Sequence, residues 1–396
     1  MQIRKSVALA AALAMTLATV SSAASQSNSG WETTLDARVF AQYMRSGTLR
    51  GADGFGSANW FMAGARQQSE QRTLSANLMF SLEPVTLGEC GYPRLLTPGF
   101  ICFEHALEDR QHTHPLIMAV NASLEQRIGK VAVMVSPGLA GQPTLGPIAY
   151  FHRRSAAYDP ISPLTHDRFN PVHTAYGLVN AAVETGRLRL EGSVFNGTAH
   201  DDDAYDLDLA PMHSYAARVQ WSPGISSLAQ FSVGSLQPSP GGGHHGSGAE
   251  RMTVYSAALE SAPNSRTPMA YTLGVAAHRM AGETEYSGLA ELLWSKSAHS
   301  LFARAELTER VEYDVLIVID SAGAHQHTEI PRRFELAEVA AGYVFRMPTW
   351  RGIETSIGAR ASINTIPSYL RPRYDASRGF AFAFFTSIRP AQQHNH

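Results

Sequence analysis

Apolar and polar residues alternate along much of the chain in segments of about ten residues. The segments are joined in pairs by very short turns, and long polar loops separate the pairs. Leu188, Leu190, Gly192 and Val194 share one face of an extended segment, while Arg187, Arg189, Glu191 and Ser193 share the other. Leu301, Ala303, Ala305 and Leu307 oppose Arg304, Glu306, Thr308 and Arg310 in the same way, and Ile353, Thr355, Ile357 and Ala359 oppose Glu354, Ser356 and Arg360. A second face carrying charges of both signs has to be wet, which fits a two-layer soluble sandwich poorly. It fits a transmembrane β-barrel, whose strands show apolar residues to lipid and polar ones to the lumen.

Pairing the segments across their tightest turns gives strands over Asp36–Arg45, Ser57–Arg66 and Thr73–Leu82, then Leu116–Gln126 with Lys130–Val135, and Thr174–Glu184 with Arg187–Phe195. Further reversals at Ser222–Gly224, Ala262–Thr267, Ser297–His299 and Met347–Thr349 contain the Gly, Pro, Ser or Asn that sharp turns demand. With a last strand over Phe380–Arg389, the series predicts an all-β, antiparallel, up-and-down transmembrane barrel of about sixteen strands. An even count puts both chain ends on the periplasmic side, with the short turns there and eight long loops outside. Closure removes the exposed sheet edges and pairs every backbone amide within lipid. The aromatics Trp60, Tyr176, Tyr215, Trp221, Trp294, Tyr343 and Trp350 fall near strand ends, where interfacial girdles belong. A soluble β-sandwich or propeller is the competing reading, and no forty-residue blade repeat supports the propeller.

Residues 1–24 read as a secretory signal: Arg4 and Lys5 begin it, an apolar stretch runs from Val7 to Val20, and small residues surround Ala23 and Ala24. A periplasmic segment over 25–35, the barrel over 36–390 and a tail over 391–396 complete the expected organisation. No later stretch approaches the roughly 18–20 continuous apolar residues of a membrane-spanning helix. A hydrophobic fraction of 44% and 32 basic against 34 acidic residues are neutral between soluble and barrel forms, and give no bias toward polyanions or nucleic acid. The two cysteines, Cys90 and Cys102, lie close together in an exported chain, so a loop-clamping disulfide is expected, with two free buried thiols as the alternative. The last strand departs from barrel practice, since Phe385 and Ile388 are followed by a polar tail rather than a terminal aromatic residue.

Arg187, Arg189, Glu191, Arg218, Arg304, Glu306, Glu354 and Arg360 are the candidate lumen-lining charges. The longest outer loop, Gly138 to Val172, is rich in prolines and in apolar and aromatic side chains, and long ordered connections of this kind pack on something. Folding it into the lumen is the economical way to bury it. His152, Arg153, Arg154, His166 and Arg168 would then bring positive charge to a constriction.

The stretches GYPRLLTPG, DRQHTHP, PTLGPIAYFHRRSA, PLTHD, HTAYGLV and LRLEGSVFNG, within Leu74 to Gly234, resemble a family of proteobacterial outer-membrane β-barrel proteins often encoded near copper and heavy-metal efflux systems. The resemblance implies location and barrel form, and supplies neither substrate nor reaction.

His112 and His114, spaced i and i+2, would project to one face of an extended segment. With Asp109, His105, His152, His166 or His173 nearby they could hold Cu(II), Zn(II) or Ni(II). Against this, loop histidines commonly hydrogen-bond to carboxylates and carbonyls. His244 and His245 sit in a glycine-rich loop that fixes no geometry, and Asp201, Asp202, Asp203, Asp206 and Asp208 lack the ligand spacing of a calcium loop. A nucleophilic set of Ser155, His152 and Asp159 is barely specified by spacing, so no enzyme activity is expected. Two function classes stay open. One is a porin-like channel for small hydrophilic solutes or ions. The other is a loop-plugged, non-conducting barrel that binds metal or a surface partner. Outer-membrane lipid, lipopolysaccharide and the barrel assembly machinery are the implied partners of either.

Overall fold

The computed structural model describes residues 30–88, 90–97, 100–102, 105–107, 109–197, 204–237, 251–263, 267–319 and 325–391; the side chains of 100–102, 105–107, 312–319 and 325–331 are not among what it describes. The expected signal peptide, the side chains of Cys102 and His105, the residues Asp201 to Asp203, His244 and His245, and the tail beyond 391 therefore lie outside the described residues.

Sixteen antiparallel strands form the wall. They are β1 (Trp31–Gly47), β2 (Asn59–Gln68), β3 (Arg72–Phe80), β4 (Ile117–Ile128), β5 (Val131–Gly141), β6 (Ala175–Thr185), β7 (Leu188–Phe195) and β8 (Ser214–Gly224). They continue as β9 (Ser227–Leu236), β10 (Met252–Ser261), β11 (Met269–Met280), β12 (Glu283–Lys296), β13 (His299–Ile319), β14 (His325–Arg346), β15 (Ile353–Thr365) and β16 (Arg378–Pro390). Each pairs with its neighbours in sequence, and β16 closes on β1 in a register running from Val39↔Ile388 to Gly47↔Phe380. A short extra strand, Asp53–Gly56, continues the β2 position beside the far end of β1. Closure leaves no free edge, which is what lets so many strands sit in hydrocarbon.

The alternation that defined the strands also sorts the two faces. Val133, Val135, Leu190, Phe231, Leu307 and Val339 are exposed on the outer face, as a lipid-facing band requires, while their strand neighbours Met134, Arg189, Ser232, Glu306 and Glu338 turn inward. Tyr215, Trp221, Tyr343 and Trp350 are exposed near strand ends, as a girdle demands, but Trp60 and Tyr176 are buried. Trp60 points into the lumen against His152, and the Tyr176 hydroxyl donates to the Ile117 carbonyl, so neither belongs to the outer belt.

Turn chemistry explains the tight end. Gly129 and Gly186 sit at φ near +60°, a backbone state that strains other residues, at the β4–β5 and β6–β7 reversals. Two expectations are corrected here. The β5 strand continues to Gly141 rather than ending at Val135, because Pro137 and Gly138 occur inside the strand next to a bulge at Gly138 and Ala140. The outer connections are not all long: β11 and β12 are joined by Ala281 and Gly282 alone, both at positive φ.

Candidate functional site: a lumen closed by its own loops

Two outer connections turn inward. The first, 81–116, carries a one-turn helix at Glu83–Thr86. The second, 142–174, carries 3-10 turns at Tyr150–His152 and Arg154–Ala156 and a one-turn helix at His166–Phe169. Neither has much regular structure, and many of their polar groups bond to the wall.

The second segment reaches every side of the barrel. Thr144 donates through its N–H to Ser193 on β7 at 3.1 Å, and Gly146 donates to Ser232 on β9 at 2.9 Å while its carbonyl accepts from Arg218 on β8 at 2.9 Å. Ser155 meets Thr272 on β11 at 2.7 Å and Glu291 on β12 at 2.9 Å. Tyr158 packs with Phe40, Phe302, Val344 and Phe385 from β1, β13, β14 and β16. The Arg38 guanidinium on β1 donates to the Ala157 carbonyl, and His152 lies against Trp60 on β2 and Met79 on β3. A cavity of about 20 Å³ beside these contacts has room for roughly one or two waters.

At mid-height an ionic belt ties plug to wall. Arg153 from the plug grips Glu291 with two contacts of 2.8 Å, and Arg304 on β13 reaches the same carboxylate at 3.1 Å. Asp159 from the plug sits between Arg304 at 3.2 Å and Arg360 at 3.1 Å. Glu338 on β14 accepts from Arg360 at 2.6 Å and from Arg94 of the first inward segment at 2.6 Å. Arg94 also lies 3.8 Å from Glu306, which in turn accepts from the Thr165 N–H and hydroxyl at 2.9 and 2.8 Å. Four guanidinium groups thus meet four carboxylates, with Glu291 and Arg304 each only 3% exposed. Charges so deeply withdrawn from water are tolerated only when paired and hydrogen-bonded, and removing one partner is far costlier than replacing both. The network therefore specifies one seat for the plug more than it adds net stability.

An apolar layer sits toward the outer mouth, where Leu95, Leu96 and Leu164 pack with Phe334, Leu336, Ile366, Leu370 and Tyr374. Asp109 ties this layer down by accepting from Arg50 at 2.6 Å, the Leu96 N–H at 2.7 Å and the Tyr374 hydroxyl at 2.7 Å. Toward the short turns, Ser75, Asn77, Asn121, Ser123 and Arg189 keep part of their surface, so a wet vestibule remains below the plug.

Of the candidate lumenal charges, Arg304, Glu306 and Arg360 stand in the belt. Arg189 and Arg218 pair with Glu191 at 3.0 and 2.5 Å, and Glu354 pairs with Arg389 at 2.7 Å. Arg187 does not line the lumen: it precedes β7 in an exposed turn and donates to the Pro223 carbonyl. The expected positive constriction is also corrected. The charge of Arg153 is cancelled by Glu291 and that of Arg168 by Glu285, Arg154 stays exposed, and burial holds the His152 and His166 rings below their ordinary pKa. Ser155, His152 and Asp159 point to separate partners, so the three do not form a nucleophile with its base. Sequence reasoning missed Arg94, Glu291 and Glu338. Glu291 and Glu338 were legible as isolated charges at inward positions of otherwise apolar runs.

The histidines gather near the outer mouth. One ring nitrogen each from His112, His166 and His173 lies within 4.8 Å of the others, and the His114 ring adjoins them with centroids 5.5 and 5.7 Å from those of His173 and His166. His114 is held by Glu83, which accepts from its N–H at 2.9 Å and meets its Nδ1 at 2.8 Å. Asp109, named as a possible neighbour, is engaged with Arg50 and Tyr374, and His152, which shares Phe151 as a neighbour with His114, lies against Trp60 and Met79.

The seat of the plug depends on missing side chains in the wall. A Cβ on Gly274 of β11 would come 2.7 and 2.9 Å from ring atoms of Phe169, closer than real contacts allow. Gly274→Leu is expected to lift the 142–174 segment. Trypsin should then cleave after Arg154 or Arg168 several-fold faster than in wild type, and an unchanged rate would rule out this seat.

The sequence matches no family model and no curated protein. Solved structures do match in shape. OmpT, an outer-membrane protein of Vibrio cholerae, superposes with a TM-score of 0.50 at 9% identity, over 92% of this chain and 99% of that one. An anion-selective porin from Comamonas acidovorans and Salmonella typhi OmpF, in complex with daunomycin, each give 0.50 at 9% identity, over 91% of this chain and 99% of theirs. At such identity the likeness is one of fold. The protein is a sixteen-stranded β-barrel of the outer membrane, built like these porins.

Proposed function

We propose that the protein is a gated outer-membrane channel for small hydrophilic solutes or ions, held shut in this conformation by residues 142–174. The supporting observation is that this one segment contacts the wall on all sides and is locked to it by the Arg153–Glu291 and Asp159–Arg304–Arg360 contacts. The one-turn helices of the segment give it little regular structure of its own to lose on release. Selectivity would come from the inward charges, which fix which ions the opened lumen favours. A Cys90–Cys102 bridge would stiffen the neighbouring inward segment. The link to copper or heavy-metal export implied by the sequence resemblance would run through the histidine cluster.

Planar-bilayer recording tests the reading. Wild type at neutral pH is expected to be silent apart from rare openings, and deletion of residues 143–172 is expected to give steady conductance. Steady conductance in wild type would refute closure by the loop. Silence in a correctly folded deletion variant would refute the channel and leave a sealed binding or structural barrel.

A further inference from the structure

The four clustered histidines come from two places: His112 and His114 from the first inward segment, and His166 and His173 from the far end of the second. Glu83 fixes the His114 ring through its Nδ1, and the opposite Nε2 is buried with no hydrogen-bond partner in a side chain only 4% exposed. The His166 Nε2 is likewise buried without a hydrogen bond, and its side chain is 4% exposed. A buried ring nitrogen left without a partner carries an uncompensated desolvation cost. A carboxylate lies close by, with Asp167 Oδ1 3.8 Å from His166 Nε2 and 3.9 Å from His173 Nδ1.

We propose that His112, His166 and His173, with His114 as a fourth ligand positioned by Glu83, form a transition-metal site that pins the two inward segments to each other. Donors around a four-coordinate ion with bonds of about 2.0–2.1 Å stand about 3.4 Å apart. The nitrogens of His112, His166 and His173, within 4.8 Å of one another, reach that spacing by small ring rotations. The carboxylate behind His114 is the device that orients a ligating imidazole and raises its basicity. Imidazole nitrogen with one nearby carboxylate suits Zn(II), Cu(II) or Ni(II). It does not suit Ca²⁺ or Mg²⁺, which want oxygen, or Cu(I), which wants sulfur.

The pinning role rests on the gated reading, because a bound ion stabilises whichever plug position brings the histidines together. The binding itself does not depend on that reading. The first measurement is calorimetric titration of the full-length, chelator-stripped protein in detergent with zinc sulfate and, separately, copper sulfate. One ion per barrel is expected. His112→Ala with His166→Ala and His173→Ala should weaken binding at least 100-fold, and Glu83→Gln should weaken it about 10–100-fold through loss of ring orientation. His213→Ala, outside the cluster, should leave binding unchanged. Absence of binding to wild type, or unchanged affinity in the triple variant, would overturn the site. Should the triple variant fail to fold as a heat-modifiable barrel, Glu83→Gln alone decides: unchanged affinity sinks the assignment. The second measurement is hydrogen exchange across 142–174 with and without zinc. Slower exchange on binding is expected, and binding without any slowing would overturn the pinning. A wild-type channel that conducts steadily while still binding zinc would refute the gate and leave the metal site standing.

Discussion

Glu291→Ala is expected to convert a silent barrel into a conducting one. The Glu291 carboxylate is the shared acceptor for Arg153 of the plug, Ser155 of the plug and Arg304 of β13. Removing it leaves two buried guanidinium groups short of their countercharge, a loss of about 3–5 kcal/mol for a broken buried pair. Arg304 remains fixed in the wall and keeps Asp159, whereas Arg153 can recover its hydration only if the plug lifts. The seated state should therefore lose several orders of magnitude of its population advantage. A double variant, Glu291→Leu with Arg153→Leu, should close the lumen again, because replacing both partners with apolar groups removes the unpaired charge. The readout is single-channel open probability at neutral pH, with heat-modifiable gel mobility confirming the barrel. An open probability in Glu291→Ala equal to wild type would refute the belt as a latch.

The second large effect is acid opening. His152 sits among Trp60, Met79 and Phe151, with Arg38 and His114 as its charged and titratable neighbours. Burial first, then the proximity of His114 and Arg38, pushes its pKa down to about 4. A released plug would hold the same ring in water, where it takes a proton near pH 6.5. As pH falls from about 6.5 toward 4, the released state binds a proton that the seated state refuses, so closure weakens throughout that window and is at full strength above it. The difference amounts to at most about 3 kcal/mol, or roughly a hundredfold in open probability. His166, held low by burial and by the neighbouring histidines, shifts in the same direction in chelator-treated protein. His152→Phe should flatten the pH profile between 6.5 and 4 while leaving the closed state intact at pH 7.5. A profile identical to wild type would exclude His152 as a sensor.

The barrel was legible because side-chain direction alternates with a period of two, and one-sided lipid exposure forces that period into the residue types of Leu188–Phe195 and Leu301–Thr308 alike. Strand ends were less so. The sequence pattern ends the strand at Val135 and starts the long loop at Gly138, yet the bulge at Gly138 and Ala140 lets β5 run on to Gly141. That the long loop enters the lumen was readable from apolar side chains that no outer loop could bury. Its locking partners were not, since Glu291 and Glu338 stand more than a hundred residues beyond the plug in sequence and only the closed circle brings them near. The histidine cluster shows the same limit. His112 and His114 drew notice by spacing, whereas His166 and His173 join them through the fold of the plug.

The charge balance of the belt outlasts the departure of the plug. Arg153 and Asp159 leave with residues 142–174, one charge of each sign, while Arg94 of the first inward segment stays with Arg304 and Arg360 opposite Glu291, Glu306 and Glu338. Three guanidiniums then face three carboxylates, so opening creates no net fixed field at the level of the belt, and a salt gradient across the opened channel should give a reversal potential near zero.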